Sequence, residues 1–309
     1  MRKLLVLIFF ISLKSFAQKD TTVIWENQRI TLPEVIVRNN FDYKFILEQI
    51  KNDTTFYKAF RNLRVIEFSS YNNIDIFNKN KTSRASYASK TRQHRVNGCR
   101  TTEILEEKTT GDFYDDKHEY NYMTAEMYAS LFFAKGQVCG ENNIVKGRLT
   151  DVKNKKGMDK HREQLKMLFF NPGKKIPGIP FIGDKLDLYD ERAHKLYDYR
   201  LDYTEYQGRQ AYIFTITPKE DLGTFKRDDI VVDEMTTWFD GKSLEVLARN
   251  YRLSYKAGVY DFDVNMEVEM THIGNMLVPR TLRYKGNWDV IFKKRERAQF
   301  TATLFDYKL

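Results

Sequence analysis

Between Asp261 and Thr271 apolar and polar residues alternate without an error. Phe262, Val264, Met266, Val268 and Met270 fall on one side, and Asp261, Asp263, Asn265, Glu267 and Glu269 on the other. A strand places successive side chains on opposite faces, so this stretch predicts one wall of a sheet with a dry face and a wet face. Such a wall belongs to an antiparallel sheet, because parallel strands buried on both sides read as continuous apolar runs. The strand spans 259–272, and six more strand-like runs surround it, at 197–206, 210–218, 229–239, 244–256, 276–285 and 297–307. Turn chemistry separates several of them: Gln207-Gly208, Asp240-Gly241, Ala257-Gly258 and Ile273-Gly274-Asn275. Asp-Gly is a strong hairpin signal. Short connections predict a meander in which each strand pairs with its predecessor. Seven long strands sharing one dry face will twist and curl around it.

The first half of the chain is patterned differently. Thr21 to Val37 predicts two short strands around a turn at Asn27-Gln28. Phe41 to Asn52 carries a helical stripe of Phe41, Phe45, Leu47 and Ile50, and a second helical turn runs through Tyr57, Phe60 and Leu63. Val65 to Ile76 predicts a strand, and residues 79–121 a long irregular excursion, polar and weakly periodic. Thr124 to Lys135 is a helix with Met127, Leu131 and Phe132 as its stripe and Gly136 as its stop. Met158 to Phe170 is another, ended by Asn171-Pro172-Gly173. The expected fold is mainly β: a curved antiparallel meander or half-barrel with N-terminal helices packed on it or capping it. Its parts are a leader at 1–17, an N-terminal α+β region at 18–150, and the meander with its leading helix at 151–309, the last two continuous in one half-barrel.

The leader reads as a secretory signal peptide. Arg2 and Lys3 precede an apolar run from Leu4 to Leu13, and Ser15-Phe16-Ala17 supplies the small residues of a cleavage site. The run is too short to span a bilayer. No Cys follows it, which excludes lipid attachment there. The expected location is across the plasma membrane, in the periplasm or at the periphery of an outer membrane. Hydrophobic residues make up 42% of the chain and aromatics 14%, enough to bury a large core. The formal charge is +9, of which Arg2, Lys3 and Lys14 leave with the leader. The remaining surplus is scattered, with Lys293-Lys294-Arg295-Glu296-Arg297 its densest patch, and no nucleic-acid-binding motif accompanies it. In an oxidising compartment the two cysteines, Cys99 and Cys139, are a candidate disulfide, and closing a loop of that length stabilises by roughly 3–4 kcal/mol.

Little in the sequence carries chemistry. Gly178-Ile-Pro-Phe-Ile-Gly183 has the glycine spacing of a phosphate loop, but Asp184 stands where its lysine belongs and Pro180 removes an amide. The surrounding segment is either a rigid surface connection or an apolar loop at a pocket mouth, through Ile176, Ile179, Phe181 and Ile182. Asp261, Asp263, Glu267, Glu269, Asp228 and Asp229 invite a two-carboxylate hydrolase reading, although alternating acids are the usual dress of a wet sheet face. The five histidines show no ligand spacing, and no Gly-x-Ser-x-Gly elbow exists. No metal, cofactor or catalytic residue is therefore expected.

The carboxy-terminal half, about 197–307, carries Thr-Trp238-Phe-Asp240, Ala-Arg249-Asn-Tyr251, Phe-Asp-Val-Asn-Met266, Leu-Val-Pro279 and Tyr284-Lys-Gly-Asn-Trp288 in that order. This order resembles secreted proteins of the Bacteroidetes, whose strands suggest the half-barrel of the outer-membrane lipoprotein carrier (LolA/LolB-like) superfamily. Ile30-Thr-Leu-Pro-Glu-Val-Ile-Val37 is similar to a strand that precedes outer-membrane receptor plugs in the same bacteria. Carriers of this superfamily hold acyl chains inside a curled sheet covered by short helices. The resemblance thus implies a non-enzymatic envelope protein with a lipid, a lipidated protein or another envelope protein as its partner. The expected lining is Trp238, Leu253, Tyr255, Phe262, Val264, Met266, Val268 and Met270. The alternatives are a structural or protein-interaction module with a solid core, a hydrolase of polysaccharide or lipid, and a transmembrane barrel. The last conflicts with the charges interleaved through the strands.

Overall fold

The computed structural model describes residues 20–33, 42–145, 167, 172–176, 182–257, 260–290 and 295–309. The leader, the strand expected over 34–37, most of the helix expected over 158–170, and Ile179, Phe181, Lys293 and Lys294 lie outside these residues.

One thirteen-stranded sheet organises the chain, in the order β1-β2-β7-β8-β9-β10-β11-β12-β13-β3-β4-β5-β6. It is mainly β, open and curled. Seven strands form the expected meander: β7 (Tyr197–Tyr206), β8 (Arg209–Pro218), β9 (Val232–Asp240), β10 (Val246–Ala257), β11 (Tyr260–Ile273), β12 (Met276–Val290) and β13 (Glu296–Lys308). β1 (Thr21–Trp25) and β2 (Gln28–Leu32) join its first edge, β2 lying parallel to β7. The other edge continues through β3 (Glu67–Phe77), β4 (Ser83–Val96), β5 (Cys99–Gly111) and the two-residue β6 (Val138–Cys139). β13 pairs with β3 from Arg297↔Phe77 to Lys308↔Glu67, so the two halves of the chain share one sheet.

Five helices accompany the sheet among the described residues: α1 (Tyr43–Lys51), α2 (Thr55–Asn62), α3 (Met123–Phe132) and the one-turn α4 (Ala193–Leu196) and α5 (Thr224–Arg227). Apolar faces of α1 (Ile46, Leu47, Ile50), α2 (Phe56, Ala59, Phe60) and α3 (Met127, Leu131, Phe132) are buried in the same core cluster as the dry face of the sheet.

The excursion expected over 79–121 is instead two long strands, β4 and β5. Alternation is present in β4, but its dry positions are Ala85, Tyr87, Ser89, Thr91 and Gln93, so a hydrophobic period is hidden behind small and polar residues. Ser89, Thr91 and Gln93 can be buried because each is bonded. Ser70 and Thr91 share a hydroxyl bond of 2.8 Å, Asn72 Nδ2 donates to Ser89 Oγ at 3.1 Å, and Gln93 Nε2 donates to the carbonyls of Leu63 and Ile66, both at 2.7 Å. The hairpin between β4 and β5 turns on Asn97 (φ +51°) and Gly98 (φ +74°), the left-handed pair of a type I′ turn. The Asp-Gly pair at 240–241 makes a longer loop than its signal suggests. Asp240 Oδ1 accepts from the amides of Lys242 and Ser243, both at 2.9 Å, which delays β10 to Val246.

Candidate functional site

The inner face of the meander is built by register. Tyr251 of β10 lies opposite Met235 of β9 and Met266 of β11, and Met266 lies opposite Tyr284 of β12, which pairs with Phe300 of β13. The same alternation sets Leu253 beside Val264, Tyr255 beside Phe262, and Val268 beside Leu282. Leu253, Val264, Met266 and Val268 are completely buried, and Phe262 and Tyr255 nearly so. Phe262 packs on Trp288 with ring centres 5.2 Å apart, and Tyr284 stacks on Phe300 at 4.6 Å. Met270 closes the row at the rim, beside a cleft of about 180 Å³ that also touches Tyr206, His272 and Arg280.

Trp238 is not part of this face. Thr237 and Phe239 point inward, and Trp238 stands half-buried on the outer face with its ring 5.3 Å from that of Tyr206. The strand expected over 229–239 was read without a partner, and one residue of register moves a side chain across the sheet.

The concavity is roofed. α3 lays Tyr128 on Phe300, ring centres 4.9 Å apart, and the Tyr128 hydroxyl donates to Asn72 Oδ1 at 2.6 Å. Glu296 at the start of β13 accepts from the amides of Met123 and Thr124 at 2.6 and 3.0 Å, and so caps α3 from the sheet. Ile176 and Ile182, expected at a pocket mouth, are instead packed in the core, where the Ile176 amide bonds the Gly183 carbonyl at 3.2 Å. The segment 182–190 is anchored below by the Tyr199 hydroxyl, which donates to the Leu188 carbonyl at 2.8 Å.

The junction of α1 and α2 is tied to the floor by a buried ion pair. Arg249 occupies a dry position of β10 and places Nη2 3.5 Å from Asp53 Oδ2. Its Nε donates to Thr237 Oγ1 at 2.9 Å, and its guanidinium lies 4.4 Å above the Phe56 ring. Asp53 is also held by the amide and hydroxyl of Thr55, at 2.8 and 2.6 Å. Burial lowers the Arg249 pKa, and the Asp53 charge opposes that shift. Beside the pair, Lys174 donates to the Lys51 carbonyl and sits 4.5 Å above the Tyr189 ring. Burial, then the nearby Arg249 charge, pushes the Lys174 ammonium down to about 8. Sequence reasoning passed over both cations. The signal for Arg249 was present, since it takes the dry position in the alternation Arg249, Tyr251, Leu253, Tyr255.

Five of the six carboxylates considered for hydrolysis, Asp228 being the sixth, are in ion pairs. Arg295 Nη2 bridges Asp261 at 2.6 Å and Asp289 at 3.0 Å, Glu269 pairs with Arg280 at 2.7 Å and with Arg283 at 3.3 Å, and Asp229 pairs with Lys185 at 2.8 Å. Among the described residues no group of three or more His, Cys, Asp or Glu side chains could hold a metal ion. Cys99 and Cys139 are joined as a disulfide across β5 and β6.

No family model and no curated protein matches the chain. Solved structures are similar to it over most of its length. A DUF1329 family protein from Desulfovibrio piger is 12% identical, covering 82% of this chain and 93% of its own, with a TM-score of 0.25. An outer membrane lipoprotein-sorting protein domain from Vibrio parahaemolyticus is 10% identical, with coverages of 80% and 88% and a TM-score of 0.26. A LolA superfamily protein from Nitrosomonas europaea is 8% identical, with coverages of 83% and 92% and a TM-score of 0.24.

Proposed function

We propose that the protein is a non-enzymatic cell-envelope carrier that takes an apolar or lipidated ligand between the inner face of its curled sheet and the helices above it. The observation that carries this reading is the composition of the floor and its cover. The floor is one apolar field from Leu253 to Phe300, with Met235 and Met266 as adaptable fillers. The cover is made of short helices whose described polar ties to the floor include Arg249 with Asp53, the Val246 amide with Thr55 Oγ1, Glu296 with the start of α3, Tyr128 with Asn72, and Asn62 with the Leu277 carbonyl. An acyl chain replaces helix contacts with contacts of the same kind, at roughly 25 cal/mol per Å² of apolar surface. In this reading Ile176 and Ile182 are displaced with the cover, and Leu253, Tyr255, Phe262, Val264, Met266 and Val268 line the site, with Met270 at its rim.

The test is native mass spectrometry of the full chain purified from a bacterial envelope, with organic extraction of what accompanies it. An acylated species released on denaturation supports the carrier. A clean apo mass, with no uptake of a fluorescent acyl probe by protein that still melts cooperatively, overturns it.

A second reading rests on a specific observation as well. Val264, Met266 and Val268 are wholly buried by the protein's own side chains. A filled concavity suits an envelope module that works through its outer surface, and the clean apo mass is the result that favours it.

A further inference from the structure

The outer face of the meander carries a second site, unrelated to the concavity. A half-open groove of about 810 Å³ crosses β10 to β13 and reaches the β3–β4 turn, within the size range of ligand sites. Register builds it in two rows. Arg252, Asn265, Lys285 and Gln299 lie side by side across four strands, and Asp263, Asn287, Arg297 and Phe77 form the adjoining row. Lys81 closes one end. Four cations and one carboxylate therefore line the groove, and Asp263 is already paired with Arg252 at 3.3 Å.

Several charges elsewhere on this face pair with one another: Asp261 and Asp289 share Arg295, and Glu267 and Glu269 are served by Arg283 and Arg280. Asp75, beside the groove, accepts from Gln299 at 3.1 Å. Lys81, Lys285 and Arg297 have no acidic partner among the described residues. Three cations without an acidic partner line one groove, and such a site concentrates anions.

We propose that this groove binds an acidic saccharide chain, one bearing carboxylate, sulfate or phosphate groups on successive sugars. The strand repeat sets the cations apart: Lys285 and Arg297 are diagonal neighbours on adjacent strands, about 7–8 Å apart, and Arg252 and Lys285 lie about 10 Å apart across an intervening strand. That spacing suits charges repeated along a polymer better than a single small anion. Asn265, Asn287 and Gln299 stand between the cations and offer both donors and acceptors to hydroxyls. Phe77 supplies an aromatic surface for a sugar face. A concave trough of this kind does not match a flat bilayer.

The test is calorimetric titration of the full chain with a galacturonic acid tetramer, with maltotetraose, inorganic phosphate and phosphatidylglycerol vesicles as the other arms. The acidic tetramer should bind and the neutral one should not, and the Lys285→Gln, Arg297→Gln double variant should weaken binding roughly tenfold or more. Arg283→Gln, on the same face but already paired, should leave it unchanged. Both variants keep outward strand positions, and a thermal melt confirms that they fold. Silence toward the acidic tetramer overturns the proposal. So does equal loss in the Arg283→Gln control, or phosphate or vesicles binding as tightly as the tetramer.

Discussion

Lys174 sits in surroundings that oppose its charge. Its pKa is about 8 in the folded protein and 10.5 in its absence, so between these values the unfolded chain holds a proton that the folded one lacks. Stability then rises with pH across that window, and the group's full penalty, on the order of 3 kcal/mol, is felt below pH 8. Denaturant midpoints measured from pH 7 to 10.5 should climb, and Lys174→Met should flatten the climb. Arg249 behaves differently because it has a partner. Arg249→Met leaves Asp53 buried beside Thr55 and should cost roughly 3–5 kcal/mol, whereas Arg249→Met with Asp53→Leu should recover most of the loss. A urea series on both variants reads the difference. Gly286 is constrained by packing alone. A Cβ there would stand 1.8 Å from the Tyr284 hydroxyl and 2.9 Å from Trp288 Nε1, so Gly286→Ala must displace two buried aromatics. The expected cost is about 1–3 kcal/mol, seen as a lowered melting temperature.

Among the elements, β7 to β13 were legible because most of their dry positions are apolar and most of the connections between them carry Gly, Asn or Asp. α1 to α3 were legible as helices, but the stripe expected for α1 holds only in part: Leu47 and Ile50 are buried, with Ile46, and Phe45 is exposed. β4 and β5 were not legible as strands. Hydrophobicity was the quantity being read, and Ser89, Thr91 and Gln93 satisfy burial with hydrogen bonds instead. The Val-Asn97-Gly98-Cys turn between them was the available signal. For the candidate site, the inward placement of the β10 and β11 residues follows from alternation alone, but that of Trp238 depends on pairing, and pairing is a tertiary fact. The same limit hid the outer groove, whose residues come from five strands and one turn and are ordinary wet-face residues when read one strand at a time. β5 is the most exposed element, with Ile104 and Leu105 about half exposed and only β6 on its far side. The Cys99–Cys139 bridge fastens that short cover across 40 residues of chain. Replacing both cysteines by serine should cost roughly 3–4 kcal/mol. Limited proteolysis should then cut first between Asp112 and Glu141, where the wild type resists.

At the scale of the molecule, one sheet runs through strands from both halves of the chain. β13 sits between β12 and β3, so a fragment holding only residues 197–309 presents β13 as a long free edge with an inner face of Ala298, Phe300, Ala302 and Leu304. Such a fragment should aggregate in size-exclusion chromatography, and the full chain should not. The seam also orders events in time. β3, β4 and β5 emerge from the ribosome early, yet β13, which joins them to the meander, follows the other twelve described strands in chain order. Contacts of such long sequence separation form slowly. Until β13 has been made the chain holds two unfinished half-sheets, and a polypeptide in that condition can still be threaded through a narrow channel.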